Sequence, residues 1–327
     1  MKILVMKKND SFIEYKAGRY PAHLLYGMDE LSKHAEKIYY HEGGIVKSLF
    51  LAIAGKIDIV FFPYLSHFAL VFYLIKKICK RHYKIYGWQH KKITLSRFYL
   101  LKLLYTRLYD NIDGLFFLSP KNLDESLIEL NMAHKNNNFH FIPWYADIKY
   151  FDTFKYVRTQ NEYFISTGKE NRDFDTLISS MCKTKSSLKI FTNEKLDTHG
   201  AANIELNVGY FDYNKLLKET VSSYAVVITI QSESINYCVG LSSLVEAMSL
   251  GRPLIATYNP YWHIDIEKEG IGILIKNNTI EEWTKAILFL QNNPELANEM
   301  GNKAKLLVQE KYNYDVTIST LRRFMTM

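Results

Sequence analysis

Cys238-Val239-Gly240-Leu241-Ser242-Ser243-Leu244-Val245-Glu246-Ala247-Met248-Ser249-Leu250-Gly251-Arg252-Pro253-Leu254-Ile255-Ala256-Thr257 reads as a glycine turn, a short apolar helix, a Gly-Arg-Pro break and a buried strand. Ser243 and Glu246 fit a Ser-x-x-Glu capping box, with Leu244, Val245, Ala247 and Met248 as apolar helix positions. Leu254 to Thr257 is the apolar run expected of a central strand. A helix whose first amides face a glycine turn offers a site to an anionic group. Gly240, Ser242, Ser243 and Glu246 are therefore candidate binding residues.

Strands and helices alternate on both sides of this stretch. Lys2 to Met6, Ile57 to Pro63, Tyr83 to Trp88, Gly114 to Leu118 and Phe139 to Pro143 read as strands of a first half. Tyr163 to Ser166, Leu188 to Thr192, Ala225 to Ile230 and Leu254 to Thr257 repeat the pattern in a second. Ala22 to His34, Ser96 to Tyr109, Ile280 to Gln291 and Pro294 to Lys311 read as helices. Apolar strands separated by helices predict parallel sheets covered on both faces. The polar, aromatic segment opened by Asp147 reads as the link between a domain over 1–150 and another over 151–314.

The second half opens with a strand, Gly168, the cations Lys169 and Arg172, and a helix start at Asp173. That order makes a phosphate-facing loop of an open α/β sheet. Asp173-Phe174-Asp175 matches the Asp-x-Asp of metal-dependent sugar transferases, but its place at a helix start favours N-capping, so no catalytic metal and no cofactor are expected. In the first half, His90 follows a strand end, where an imidazole can act as a base near neutral pH. Gly18 and Arg19 lie ahead of a helix, where Arg19 could hold a phosphate or be an ordinary turn residue, and Glu14 and Asp10 are reserve carboxylate bases.

The segment 238–257 resembles the donor-nucleotide motif of GT-B glycosyltransferases, especially glycosyltransferase family four. The resemblance implies a GT-B fold: two Rossmann-like domains facing a cleft, acceptor in the first and nucleotide sugar in the second. It also implies a last helix, 315–327, returning to the first domain. By the same resemblance, Glu246 would bind the ribose, Lys169 and Arg172 would contact the diphosphate, His90 would lie at the cleft near the donor sugar, and the loop of Gly18 and Arg19 would face donor phosphate or acceptor. The family's Glu-x7-Glu places another carboxylate where this chain has Cys238, and Glu233 lies out of register. The Gly-Leu-Ser-Ser-Leu-Val-Glu spacing is also similar to that of inverting GT-B enzymes.

Length and composition agree with such a protein. The 327 residues suffice for two domains, and 48% hydrophobic residues suffice for their cores. Cys79, Cys182 and Cys238 form no metal-ligand spacing and suggest a reducing compartment. The longest uncharged run, Ile59 to Ile75, contains Pro63, Ser66 and His67, so it reads as a strand and a helix rather than a membrane span. From Lys56 to Arg107, eleven cations face Asp58 alone. Lys76, Lys80 and Lys84 are spaced to share a helix face. This charge fits an anionic membrane or a phosphate-bearing acceptor better than nucleic acid, since no nucleic-acid motif accompanies it.

These readings together predict a cytoplasmic, peripherally membrane-bound transferase of hexosyl type. It would pass a sugar from a nucleotide-sugar donor to a glycan or lipid-linked acceptor in cell-surface polysaccharide synthesis, with retention of configuration. An inverting transferase, a GT-B sugar-nucleotide epimerase or hydrolase, and a non-enzymatic lectin-like or nucleic-acid-binding module are the alternatives.

Overall fold

The computed structural model describes residues 1–42, 44–132, 138–156, 162–168 and 171–325. The chain forms two units, one from 1–143 with 314–327 and the other from 144–313. The second begins at Trp144 rather than 151. Ala146 bridges to Asn313, its amide donates to Tyr312 at 2.8 Å, and Asp147 caps a short helix instead of opening a linker.

In the first unit, the order is β1 (Lys2–Val5), α1 (Asp10–Lys16), α2 (Met28–Lys33), β2 (Lys37–Tyr40), α3 (Ile45–Ile53), β3 (Ile59–Phe62) and α4 (Phe68–Ile78). Then come β4 (Lys84–Gln89), α5 (Tyr99–Asp110), β5 (Gly114–Phe117), α6 (Pro120–Glu129) and β6 (Phe139–Phe141). All strands run parallel, in the order β2-β1-β3-β4-β5-β6. The central runs IVFF and GLFF are wholly buried, as strands covered on both faces must be. Val60, Phe62, Ile85, Leu115 and Phe117 pack with Ala69 and Phe72 of α4 in one apolar core.

Two expectations change here. The helix foreseen over Ala22 to His34 breaks at Tyr26 and Gly27, whose φ angles are 59° and 84°. The Trp88 indole donates to the Tyr26 carbonyl at 3.0 Å, so that carbonyl has a partner without the helix. Lys76, Lys80 and Lys84 do not share a helix face. α4 stops at Ile78, Lys80 turns left-handed, and Lys84 opens β4, while Lys76 pairs with Asp113 at 2.9 Å.

The second unit runs α7 (Ile148–Phe151), β7 (Phe164–Thr167), α8 (Phe174–Thr184), β8 (Leu188–Thr192), β9 (Ile204–Val208), α9 (Tyr213–Ser222) and β10 (Ala225–Ile228). It continues with α10 (Leu241–Ser249), β11 (Leu254–Thr257), β12 (Gly272–Ile275), α11 (Ile280–Asn292) and α12 (Pro294–Lys311). Its parallel sheet has the order β12-β11-β10-β7-β8-β9. The chain thus builds outward from β7 in one direction and from β10 in the other.

The last helix, α13 (Tyr314–Met325), belongs to the first unit. Its Tyr314 hydroxyl donates to Asp29, and the Arg322 guanidinium meets Glu30 at 2.7 Å, both carboxylates being buried. Phe324 stacks on His140, and the Tyr86 hydroxyl donates to the Met325 carbonyl at 3.3 Å. Among the described residues, no helix is long and apolar enough to cross a membrane.

Candidate functional site

Strands β7 and β10 are neighbours from which the chain departs in opposite directions, and open α/β sheets take ligands at the carboxyl ends of such a pair. One wall holds Gly168 and the stretch from Asn171 to Asp173, while Lys169 and Glu170 lie outside the described residues. The other is the loop from Thr229 to Gly240. The walls touch: Gln231 donates its amide to the Asn171 carbonyl at 3.2 Å, and the Thr229 hydroxyl donates to the Asp173 carbonyl at 2.9 Å.

Arg172 is folded back over the end of β7, 8% exposed, with Nε 3.3 Å from the Thr167 carbonyl oxygen. Gly168 makes this possible, because a Cβ there would lie 2.4 Å from Arg172 Nε. Burial pushes the guanidinium down to about 10, against the attraction of Glu194, so it stays charged at neutral pH. Asp173 caps α8 by accepting from the Thr176 amide at 3.2 Å, and it also accepts from Asn278 at 2.6 Å. Among the described residues, no cluster of three His, Cys, Asp or Glu side chains could hold a metal.

On the facing wall, the expected capping box does not form. α10 starts a turn earlier, with Gly240 as N-cap at φ 78°, so Ser243 and Glu246 both lie within the helix. Gly240 is required twice over: L side chains rarely adopt that φ, and a Cβ would meet Trp262 at 2.7 Å. The preceding loop is tied down by Asn236, which accepts from the amides of Cys238 and Val239 at 3.1 and 3.0 Å. The Val239 carbonyl is taken by the Trp262 indole at 2.9 Å. The amides of Ser242 and Ser243 consequently have no acceptor among the described residues.

Glu246 lies one turn further along and accepts from the Tyr213 hydroxyl at 2.8 Å. Burial pushes its carboxyl up to about 7, and the tyrosine hydrogen bond only partly opposes this. Tyr213, the first residue of α9, has no sequence signal linking it to Glu246; only the fold joins them. Cys238 supplies no second charge, because burial pushes its thiol up to about 12. Glu233 sits on an exposed turn at 232–234.

The candidates of the first unit fall on separate elements. His90 follows β4 and stacks on Tyr64 with ring centres 3.7 Å apart, while Tyr26 meets it edge-on at 5.5 Å. Burial pushes the imidazole down to about 4, so it is neutral at physiological pH. Gly18, at φ 71°, follows α1, and Arg19 is clamped by Glu14 through bonds of 2.6 and 2.8 Å. That ion pair holds the Glu14 carboxyl below its usual range, which weakens it as a base. Asp10 is the first residue of α1.

Residues 202–307, which include α10 and most of the wall before it, match the family described as glycosyl transferases group 1. The fold around this segment is GT-B, as the solved structures below show. Over 127 residues the chain is 35% identical to a poly(ribitol-phosphate) alpha-N-acetylglucosaminyltransferase from Staphylococcus aureus. That match covers 38% of this chain and 24% of the relative's length. Two solved structures share the fold over the whole chain. Sucrose-phosphate synthase from Thermosynechococcus elongatus superposes with a TM-score of 0.69 at 11% identity, covering 100% of this chain and 98% of its own. Anabaena HepE in complex with UDP does so at 0.64 and 12%, with complete coverage of both chains.

Proposed function

We propose that this chain is a hexosyltransferase that passes a sugar from a nucleotide-sugar donor to a glycan or lipid-linked acceptor in cell-surface polysaccharide synthesis. The observation that carries the reading is the convergence of a buried cation, two unpaired helix-start amides and a half-buried carboxylate at the ends of β7 and β10. In this reading, Arg172 and Lys169 hold the donor diphosphate from one wall, and the amides of Ser242 and Ser243 hold it from the other. Glu246 accepts hydrogen bonds from the ribose. No metal is assigned a role, because Asp173 is committed to α8 and Asn278.

The anomeric configuration is retained in this reading, and the leaving diphosphate takes the acceptor's proton. His90 contacts the transferred sugar as a neutral imidazole, and Gly18 and Arg19 border the acceptor. The protein works in the cytoplasm against an anionic membrane face, with no nucleic-acid partner. The group 1 segment, the nucleotide bound by HepE and the wall-polymer substrate in the Staphylococcus relative's name support this assignment.

Calorimetry with UDP, UDP-glucose and a panel of other nucleotide sugars tests it. Donor binding is expected, followed by acceptor-dependent release of nucleotide. Release that needs no acceptor indicates an epimerase or hydrolase, an inverted product indicates a base in the first unit, and absence of any nucleotide-sugar binding refutes the assignment.

A further inference from the structure

We propose that the start of α5 is a membrane-insertion element that seats the first unit on an anionic lipid surface. Phe98, Tyr99 and Leu100 are 75%, 81% and 65% exposed, and Leu101 and Leu103 are also exposed. The same helix buries Leu108 and Tyr109 and lays Leu104 and Tyr105 against the core. α5 is therefore anchored by its second half, while its first turn projects large apolar side chains into solvent. A contiguous cluster of this kind marks an interaction surface. On α3, which reaches α5 through α4 along the same layer, Val46, Phe50 and Ile53 form a second exposed stripe at helical spacing.

Charge decides what covers it. Lys91, Lys92 and Arg97 precede the apolar turn and Lys102 interrupts it, all of them exposed. Asp58 is the lone acid between Lys56 and Arg107. A second copy of this chain would bring the same positive field against itself, which opposes self-association. Apolar side chains within a collar of cations match an anionic bilayer, which takes the former at its acyl boundary and the latter at its headgroups. Neither signal alone anchors a protein stably, and this element carries both.

The position gives the element a use. α5 follows the carboxyl end of β4, so its first turn lies beyond the same sheet edge as His90. Ligands approach open α/β sheets at that edge. A lipid-linked acceptor would then reach the His90 edge of the first unit from the surface that holds the protein. This last step rests on the transferase reading; membrane seating itself does not.

Cosedimentation of the full chain with phosphatidylcholine vesicles, with and without phosphatidylglycerol, tests the proposal at low and high salt. The wild type should partition into anionic vesicles roughly tenfold more strongly than into neutral ones at low salt. Phe98→Ser with Leu100→Ser should lower partitioning about tenfold at both salt levels. Replacing Lys91, Lys92, Arg97 and Lys102 by Gln should remove the salt-sensitive part. Circular dichroism and UDP-glucose calorimetry on the same variants separate loss of docking from loss of fold. Equal partitioning into both vesicle types, unchanged partitioning of the serine variant, or self-association that this variant abolishes would overturn the proposal. Vesicle binding without UDP-glucose binding would leave it standing while removing the transferase reading.

Discussion

Glu246 gives the sharpest test of the site, because its burial makes it a titration probe. Its carboxyl is pushed up to about 7 from an ordinary 4.5. A raised carboxyl pKa means that the folded state holds the proton more tightly than the unfolded chain. The folded form therefore loses stability as pH rises from about 4.5 through about 7. At one pKa unit per 1.36 kcal/mol, the full cost of ionising Glu246 in place is about 3 kcal/mol, most of which falls between pH 5 and 8. Glu246→Gln keeps an acceptor for the Tyr213 hydroxyl and removes the ionisation. In the second unit, the variant's unfolding temperature at pH 8 should exceed the wild type's by roughly 5–10 °C, and the gap should nearly close at pH 5. Scanning calorimetry across that range reads both. UDP-glucose, whose diphosphate does not titrate here, should bind the wild type more tightly as pH rises through 7, and the variant more weakly and without that trend. Parallel stability curves for the two proteins from pH 5 to 8 would refute the reasoning.

Arg172→Ala should weaken UDP binding by about 10–10² while the second unit stays folded, since a hydrogen bond to a charged group contributes about 1.5–3 kcal/mol; calorimetry checks it. Gly168→Ala should act on the same property more mildly, by displacing the guanidinium that a Cβ would strike, and titration with the same nucleotide reads it. Gly240→Ala should lower urea stability by roughly 2 kcal/mol or more, from a left-handed φ and a collision with Trp262 together. His90→Ala should reduce turnover up to about tenfold with the fold intact, since a neutral hydrogen bond to the sugar contributes about 0.5–1.5 kcal/mol, and the wild-type rate should show no ionisation from this imidazole between pH 5.5 and 8. Equal turnover in His90→Ala would make the ring a packing partner of Tyr64.

The central strands could be read from the chain because residues buried on both faces leave runs such as IVFF and LIAT. β2, β9 and β12 were not read, and all three lie at sheet edges, where partial exposure mixes polar and apolar positions. The walls of the site could be read through their glycines, which mark where backbone conformation or close approach excludes a side chain. The helix start before Glu246 was misplaced by one turn, because Gly240 caps α10 through its backbone rather than through a serine hydroxyl. Tyr213, Asn236 and Trp262 gave no signal. Each acts on a residue brought near only by the finished sheet, and no local pattern encodes such a meeting.

The clasp that α13 makes on the first unit has a consequence for synthesis. Asp29 and Glu30 are buried carboxylates whose partners Tyr314 and Arg322 are translated after the whole second unit. The second unit is continuous from 144 to 313 and can close as soon as it leaves the ribosome. The first unit cannot. Until residue 325 emerges, Asp29 lacks the Tyr314 hydroxyl, Glu30 has Lys33 but not Arg322, and a sheet face stays open around Tyr86 and His140. The part of the protein made first is thus completed last, and during that interval it is the part most exposed to proteases and chaperones.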